Sequence, residues 1–267
     1  MDEISNEPKQ RIFLWTIPRS LATVFTKCMS FAEGVQIINE PYVTAHIFGP
    51  ECTAAEDDEM HQTFTKGIAT PVSQAANVDL SFHESIATFK WVKQMLESPF
   101  PGYFLHGRGW CLHIMPSFID KPFTDLPKYL VPAKLGYGEV CDLMGHVKDK
   151  LVQSPIVIDA DDLQANPASV LRQYCHLLGV EFKESMLQWE AGDKIVDTWI
   201  ISKAQKQGNK MKEGGGFYED AFKSTEFHPP KELPSREQID PDLLPLIDQC
   251  MPLYEKMYSM RIRPLNV

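Results

Sequence analysis

The stretch Arg11–Tyr42, RIFLWTIPRSLATVFTKCMSFAEGVQIINEPY, decides how the chain is read. Ile12-Phe13-Leu14-Trp15-Thr16-Ile17 is a nearly unbroken apolar run, which predicts a strand covered on both faces. Pro18 has no N–H to give a ladder and ends it. Between Thr23 and Glu33, apolar residues fall at Val24, Phe25, Cys28, Met29 and Ala32, a helical spacing, and Gly34 supplies the stop. Val35 to Ile38 predicts a second short strand, followed at once by Glu40. Strand, helix and strand within so few residues make a βαβ unit, which favours a parallel sheet with helices on its faces.

A helix that starts just after a strand turns unpaired N–H groups and a partial positive charge toward the connecting turn. Here that turn holds Arg19, Ser20 and Thr23, groups suited to an anion. On these residues alone, an anion cradle and a plain strand-to-helix turn with a surface arginine are both open. A triphosphate loop of the form G-x-x-x-x-G-K-[ST] is not matched, because Ile17-Pro18-Arg19-Ser20-Leu21-Ala22-Thr23 contains neither glycine nor lysine. Glu40, following the second strand, is expected at the same carboxyl edge of the sheet as the turn. A loop carboxylate paired with Arg19 is the plainer alternative.

Bulk composition narrows the partners. The 267 residues include 26 Lys+Arg against 36 Asp+Glu, a formal net charge of −10. Nucleic acid and anionic membrane surfaces draw on basic protein surface, so neither is an expected partner. Hydrophobic residues at 43% and charged ones at 23% are ordinary for a globular protein with a sizeable core. The six cysteines, Cys28, Cys52, Cys111, Cys141, Cys175 and Cys250, show no C-x-x-C and no metal-ligand spacing. They read as free thiols in a reducing compartment, and no metal is expected. The polar start MDEISNEPKQR resembles no leader, and no apolar run approaches the roughly 18 residues of a spanning helix. A cytoplasmic location is expected.

Further along, the acidic cluster Glu56-Asp57-Asp58-Glu59 reads as a solvated face. Ile86 to Val92 is a strand ending near Lys90, or a helix reaching Leu96. Gly102 to His106 is a better strand, and Trp110 to Phe118 reads as a helix despite Pro116. Tyr137 to Leu151 is a long amphipathic helix with Val140, Leu143, Met144, Val147 and Leu151 on one stripe. Pro155-Ile156-Val157-Ile158 predicts a strand ending in the acidic turn Asp159-Ala160-Asp161-Asp162. A helix then opens on Asn166 as N-cap with Pro167 at its first position, and closes at Gly179. A helix-like stretch from Ile195 to Ala204, the polar and glycine-rich Gln205 to Gly216, and a helix from Asp242 to Met260 interrupted by Pro245 and Pro252 complete the chain. The expected architecture is α/β: a disordered tail over 1–10, then a single domain over 11–267. Its central parallel sheet is flanked by helices, and its C-terminal portion is rich in loops.

Several patches, in chain order, resemble the P-loop sulfotransferases that use 3′-phosphoadenosine 5′-phosphosulfate. Thr16-Ile17-Pro18-Arg19-Ser20-x-x-Thr23 is similar to their phosphosulfate loop, PRS-x-ST or PKS-x-TT. Asn39-Glu40-Pro41-Tyr42 resembles the [DN]-E-P-[FLY] stretch of the bacterial-type soluble branch. Ile156 to Leu163, with Asn166-Pro167 and Val170-Leu171, matches the segment v-x-x-[DE]-d-L-x-x-[DN]-P-x-x-v-L. Cys175-x-x-Leu178-Gly179-Val180-x-Phe182 and Met186-Leu187-x-Trp189-x-x-Gly192 fit the same branch.

The resemblance implies a P-loop nucleotide-binding fold and transfer of a sulfuryl group to a hydroxyl or amine of a small-molecule acceptor. It implies that Pro18, Arg19, Ser20, Leu21, Ala22 and Thr23 hold the donor, with Arg19 stabilising the leaving phosphate and Glu40 as general base. His83, His106 and His113 are alternative bases. Tyr42 and Lys90 are expected at the acceptor. Arg108 and Ser117 are the candidates for the donor's 3′-phosphate, although they stand nine apart where the family places its Arg and Ser eight apart, and the family's Asp-Pro-Arg is absent. Leu21 and Ala22 also replace small or hydroxylated loop residues. Lys210 to Gly216 with Ser224-Thr225-x-Phe227 is expected to form a lid over the nucleotide, or a surface loop. Two other readings stand beside this one: a P-loop nucleotide kinase or NTP-binding enzyme, and an inactive descendant that binds a nucleotide or a partner protein.

Overall fold

The computed structural model describes residues 12–16, 20–35, 37, 39, 102–106, 137–200, 219–230, 232–239, 241 and 244–265. Its centre is a three-stranded sheet of β1 (Phe13–Trp15), β2 (Gly102–His106) and β3 (Ile156–Asp159), in the order β1-β2-β3 with both pairings parallel. Each strand is apolar in sequence and short, as expected of strands buried on both faces.

The alternation of side chains along the strands sorts the core into two layers. Ile12, Leu14, Ile156 and Ile158 pack with α1 (Ala22–Met29) and with the later helix Pro167–Leu178. Trp15 and Val157 face the other way, toward Tyr137–Lys150 and Leu244–Ser259. In chain order these helices are α2 (Tyr137–Lys150), α3 (Ala160–Ala165), α4 (Pro167–Leu178), α5 (Glu219–Lys223) and α6 (Leu244–Ser259). Helices therefore cover both faces of the sheet. The periodicity read for α2 names a stripe that is buried at Val140, Leu143, Met144 and Val147. Of the stripe read for α4 (Val170, Leu171, Tyr174, Leu177 and Leu178), Leu177 is corrected, being 54% exposed, and Cys175 is buried in addition to the other four.

Local chemistry explains the element ends. Asn166 Oδ1 accepts the Ser169 N–H at 3.1 Å, and Pro167 occupies the first turn of α4. At the other end Gly179 adopts φ 66°, so that its own N–H reaches His176 O and the N–H of Val180 reaches Cys175 O. This is a Schellman motif, and the left-handed residue it needs is the glycine. α2 ends differently. Val152, exposed at 88%, takes the left-handed position at φ 53° while the Gln153 N–H reaches back to Val147 O.

Two expectations are corrected, and a third falls partly outside the described residues. Of the strand expected over Val35–Ile38, positions 36 and 38 lie outside them; Ile37 O accepts from the Ile200 N–H, and Ile200 O accepts from the Asn39 N–H. Of the helix expected from Ile195 to Ala204, the described part is a short 3₁₀ turn, Lys194–Thr198, after which Trp199 is extended, and 201–204 lies outside the described residues. Three β-branched residues in five, Ile195, Val196 and Thr198, disfavour helix there. α6 is not interrupted by its prolines: Pro245 sits in the first turn, where its missing N–H costs little. The helix continues through Pro252, held by the buried stripe Ile247, Cys250, Tyr254 and Met257. The elements expected at 86–96 and 110–118, and the acidic cluster at 56–59, lie outside the described residues.

Cys28, Cys141, Cys175 and Cys250 are buried free thiols, as expected of them. Burial pushes the Cys175 thiol up to about 11 and raises that of Cys28 as well. Among the described residues no helix is long and apolar enough to cross a membrane.

Candidate functional site

Because all three strands run in parallel, their carboxyl ends share one edge, the usual location of a ligand crevice in open α/β sheets. Trp15 ends β1 there. His106, the last residue of β2, is in register with Asp159, the last of β3. α1 starts at the same edge, seven residues beyond β1.

The described part of the turn is Ser20 and Leu21, and Ala22 and Thr23 open the helix. Ser20 is buried, 1% exposed. Leu21 is the N-cap at φ 69°, ψ 11°, a left-handed conformation that a branched apolar residue rarely adopts. Its side chain packs on the core of α1 and α4 and cannot cap the helix. A left-handed residue followed directly by right-handed helix curls successive N–H groups toward one point, the concavity that holds anions in many phosphate sites. Leu21 O accepts the Phe25 N–H at 3.0 Å, so the first regular helical bond closes behind that concavity. The arrangement can offer N–H groups, a helix N-terminus and a hydroxyl-bearing residue on each side of Leu21.

The acidic turn after β3 is committed to structure. Asp159, 1% exposed, accepts from the N–H groups of Asp161 and Asp162 at 3.1 and 3.2 Å through Oδ1 and from Tyr254 Oη at 3.1 Å through Oδ2. Burial raises its pKa from 3.8 to about 6; the Asp162 N–H and the Tyr254 hydroxyl oppose the shift, and the neighbouring charges of Asp161 and Asp162 add to it. Asp162 holds Arg261 through Oδ2 at 2.6 Å, and the Arg261 guanidinium lies 3.4 Å from the centroid of the Tyr258 ring. These contacts anchor α6, and the segment following it, to the carboxyl end of β3.

Of the residues expected in the site, Ser20, Leu21, Ala22 and Thr23 are brought together at the start of α1. Pro18, Arg19, Glu40, Tyr42, Lys90, Arg108 and Ser117 lie outside the described residues, as do His83 and His113. Of the expected lid, 210–216 is also outside them. Ser224 and Phe227 are buried core residues: the Ser224 oxygens accept from Trp189 Nε1, and Phe227 meets the Trp189 ring edge-on at 5.3 Å. The sequence reading passed over Lys27, whose buried ammonium ties α1 to α5. The available signal was a cation flanking the apolar stripe of Val24 and Cys28.

A family model described as Sulfotransferase domain matches residues 10–261. The chain is similar to branched-chain-amino-acid aminotransferase-like protein 2 of Arabidopsis thaliana, 25% identical over 253 residues, covering 91% of this chain and 40% of the relative. Protein 1 of the same name and plant is 23% identical over 261 residues, covering 93% and 41%. The chain thus spans about 40% of the length of the curated relatives it matches. Two solved structures are also similar. One is the sulfotransferase domain from the curacin biosynthetic pathway, at 14% identity, TM-score 0.44, and 92% and 99% coverage of this chain and of that one. The other is the sulfotransferase domain from the Synechococcus PCC 7002 olefin synthase, at 15%, 0.41, 93% and 98%. With the family model matched from residue 10 to residue 261, the chain belongs to the sulfotransferase domain family.

Proposed function

We propose that this chain moves a sulfuryl group from 3′-phosphoadenosine 5′-phosphosulfate to a hydroxyl or amine of a small-molecule acceptor, within one P-loop-type α/β domain over residues 11–267. The observation that carries the reading is the family match over nearly the whole chain. The left-handed Leu21 at the start of α1 supports it, since an anion fits the N–H concavity there.

In this scheme the acceptor oxygen or nitrogen attacks sulfur in line with the bond to the 5′-phosphate. The new bond to sulfur forms as the old S–O bond breaks, and its electron pair leaves on 3′,5′-adenosine bisphosphate. The proton of the acceptor passes to the Glu40 carboxylate. Positioning and charge stabilisation are the protein's main contributions to such a transfer. Arg19 neutralises the leaving phosphate, with Pro18 shaping the turn. Ser20, Thr23 and the N–H groups from Leu21 and Ala22 onward hold the phosphosulfate. Arg108 and Ser117 take the 3′-phosphate, and Tyr42 and Lys90 face the acceptor. No metal enters the scheme, and the buried free thiols suit a reducing, cytoplasmic setting.

The aminotransferase-like name of the plant relatives describes proteins of which this chain matches only about 40%. The test is a thermal-shift panel followed by transfer of labelled sulfate to a library of small alcohols and amines. Stabilisation by 3′,5′-adenosine bisphosphate together with labelled product is expected. Stabilisation by ATP with Mg²⁺ alone would favour a kinase. No response to any nucleotide would favour an inactive descendant.

A further inference from the structure

Lys27 lies on α1 and is 1% exposed, yet every hydrogen bond described for its ammonium goes to a carbonyl. Nζ donates to Ala221 O and Phe222 O at 3.3 Å each and to Ser224 O at 3.1 Å. A lysine ammonium has three donors, and here they meet three acceptors. The acceptors cluster at the end of α5, where the last carbonyls have no partner within the helix. The rest of that end is equally enclosed. Trp189 Nε1 donates to Ser224 O at 2.8 Å, Ser224 Oγ to Ala221 O at 2.7 Å, and the Gly192 N–H to Phe222 O at 2.7 Å. The Trp189 ring stands 5.7 Å from Nζ, a distance that adds cation–π attraction.

Lys27 follows Ala22 by five residues, about 7.5 Å along the helix axis. One short helix therefore presents the Ser20–Thr23 turn at one end and grips α5 nearer the other. An apolar side chain of the same length would fill the space but take one donor from each of these three carbonyls, leaving them to the Ser224 hydroxyl, the Gly192 N–H and the Trp189 indole, and it would not fix α1 about its own axis.

We propose that Lys27 is a positioning residue, locking α1 to the end of α5 so that the turn before α1 and α5 itself open and close as one unit. That the turn receives the donor's phosphate rests on the function proposed above; the locking does not.

Native-state hydrogen exchange on the full chain, across a low-denaturant series, tests the lock directly. In the wild type, the Phe25 amide, bonded to Leu21 O, should share one opening isotherm with the Ser224 and Gly192 amides, bonded to Asp220 O and Phe222 O. Separate isotherms would overturn the proposal without need of any variant. Lys27→Met should speed exchange at all three amides by about tenfold or more, the factor expected for one lost charged hydrogen bond. Faster exchange at Ser224 and Gly192 with Phe25 unchanged would also overturn it. In the same variant the Kd for 3′,5′-adenosine bisphosphate should rise about tenfold, and an unchanged Kd would remove the positioning role. Should the wild type not bind that nucleotide, the proposed function fails, and the exchange data still decide whether the lock exists.

Discussion

The Tyr254 hydroxyl donates to Asp159 Oδ2 at 3.1 Å, joining the C-terminal helix to the last residue of β3 across 95 positions of sequence. The carboxyl group it meets is pushed up to about 6, chiefly by burial. A folded-state pKa above the unfolded value means that the folded chain holds more protons in between. The contribution of Asp159 is therefore fully present below pH 3.8 and is lost as pH rises through about 6. The loss amounts to about 3 kcal/mol. Asp159→Asn should lack this term, so the difference in unfolding free energy between the two proteins, taken from urea melts at pH 4 to 7, should shift in favour of the variant as pH rises. A flat difference would show that the carboxyl is ionised throughout.

Activity should depend on two residues in different ways. Arg19→Ala should lower turnover by about a hundredfold or more, as for loss of one donor to a developing oxyanion, and should weaken donor binding. Glu40→Gln should keep nucleotide binding, read by thermal shift, while losing transfer. Undiminished transfer in Glu40→Gln would take the base role away from it.

Val152 offers a stability gain. A β-branched residue at φ 53° and 88% exposed bears left-handed strain with no burial in return. Val152→Gly should raise the unfolding free energy by about 1 kcal/mol, measured by the denaturation midpoint at constant m. Donor binding should not change.

The N-cap of α4 should respond in the opposite sense. Asn166→Ala removes the acceptor for the Ser169 N–H and should cost about 1 kcal/mol. Because Val170, Leu171, Tyr174 and Cys175 from this helix fill the layer on which α1 rests, the loss should appear in the global melt. A change confined to local exchange at the helix start would contradict this.

The contrast between Asn166 and Lys27 shows what the sequence could reveal. Asn166, Pro167 and Gly179 act within a few residues of themselves, so their meaning is written locally and the structure repeats it. β2, β3 and the stripe of α2 were legible for the same reason, through runs and periodicity. Lys27 takes its acceptors 194 to 197 positions away, and Tyr254 meets Asp159 across the chain, so neither contact has a local signature. Leu21 is a different case, since a leucine is among the residues least expected at a left-handed cap. The turn itself was readable as a strand, a break and a helix following one another, which leaves an anion cradle and a plain turn both open. The roles assigned to Arg19, Glu40, Arg108 and Ser117 came from resemblance to a family and not from any spacing that physics alone singles out.

Beyond α6, Arg261 forms a parallel bridge with Val157, and the Ile262 N–H donates to Val157 O at 2.9 Å. Among the described residues β3 is one of the two outer strands of the sheet, and this contact occupies the side away from β2. During synthesis, β3 leaves the ribosome long before Arg261 exists. Until then its edge can pair with any strand nearby, including one from another nascent copy. The same contact that covers the β3 edge sets the moment at which that edge becomes safe from its neighbours.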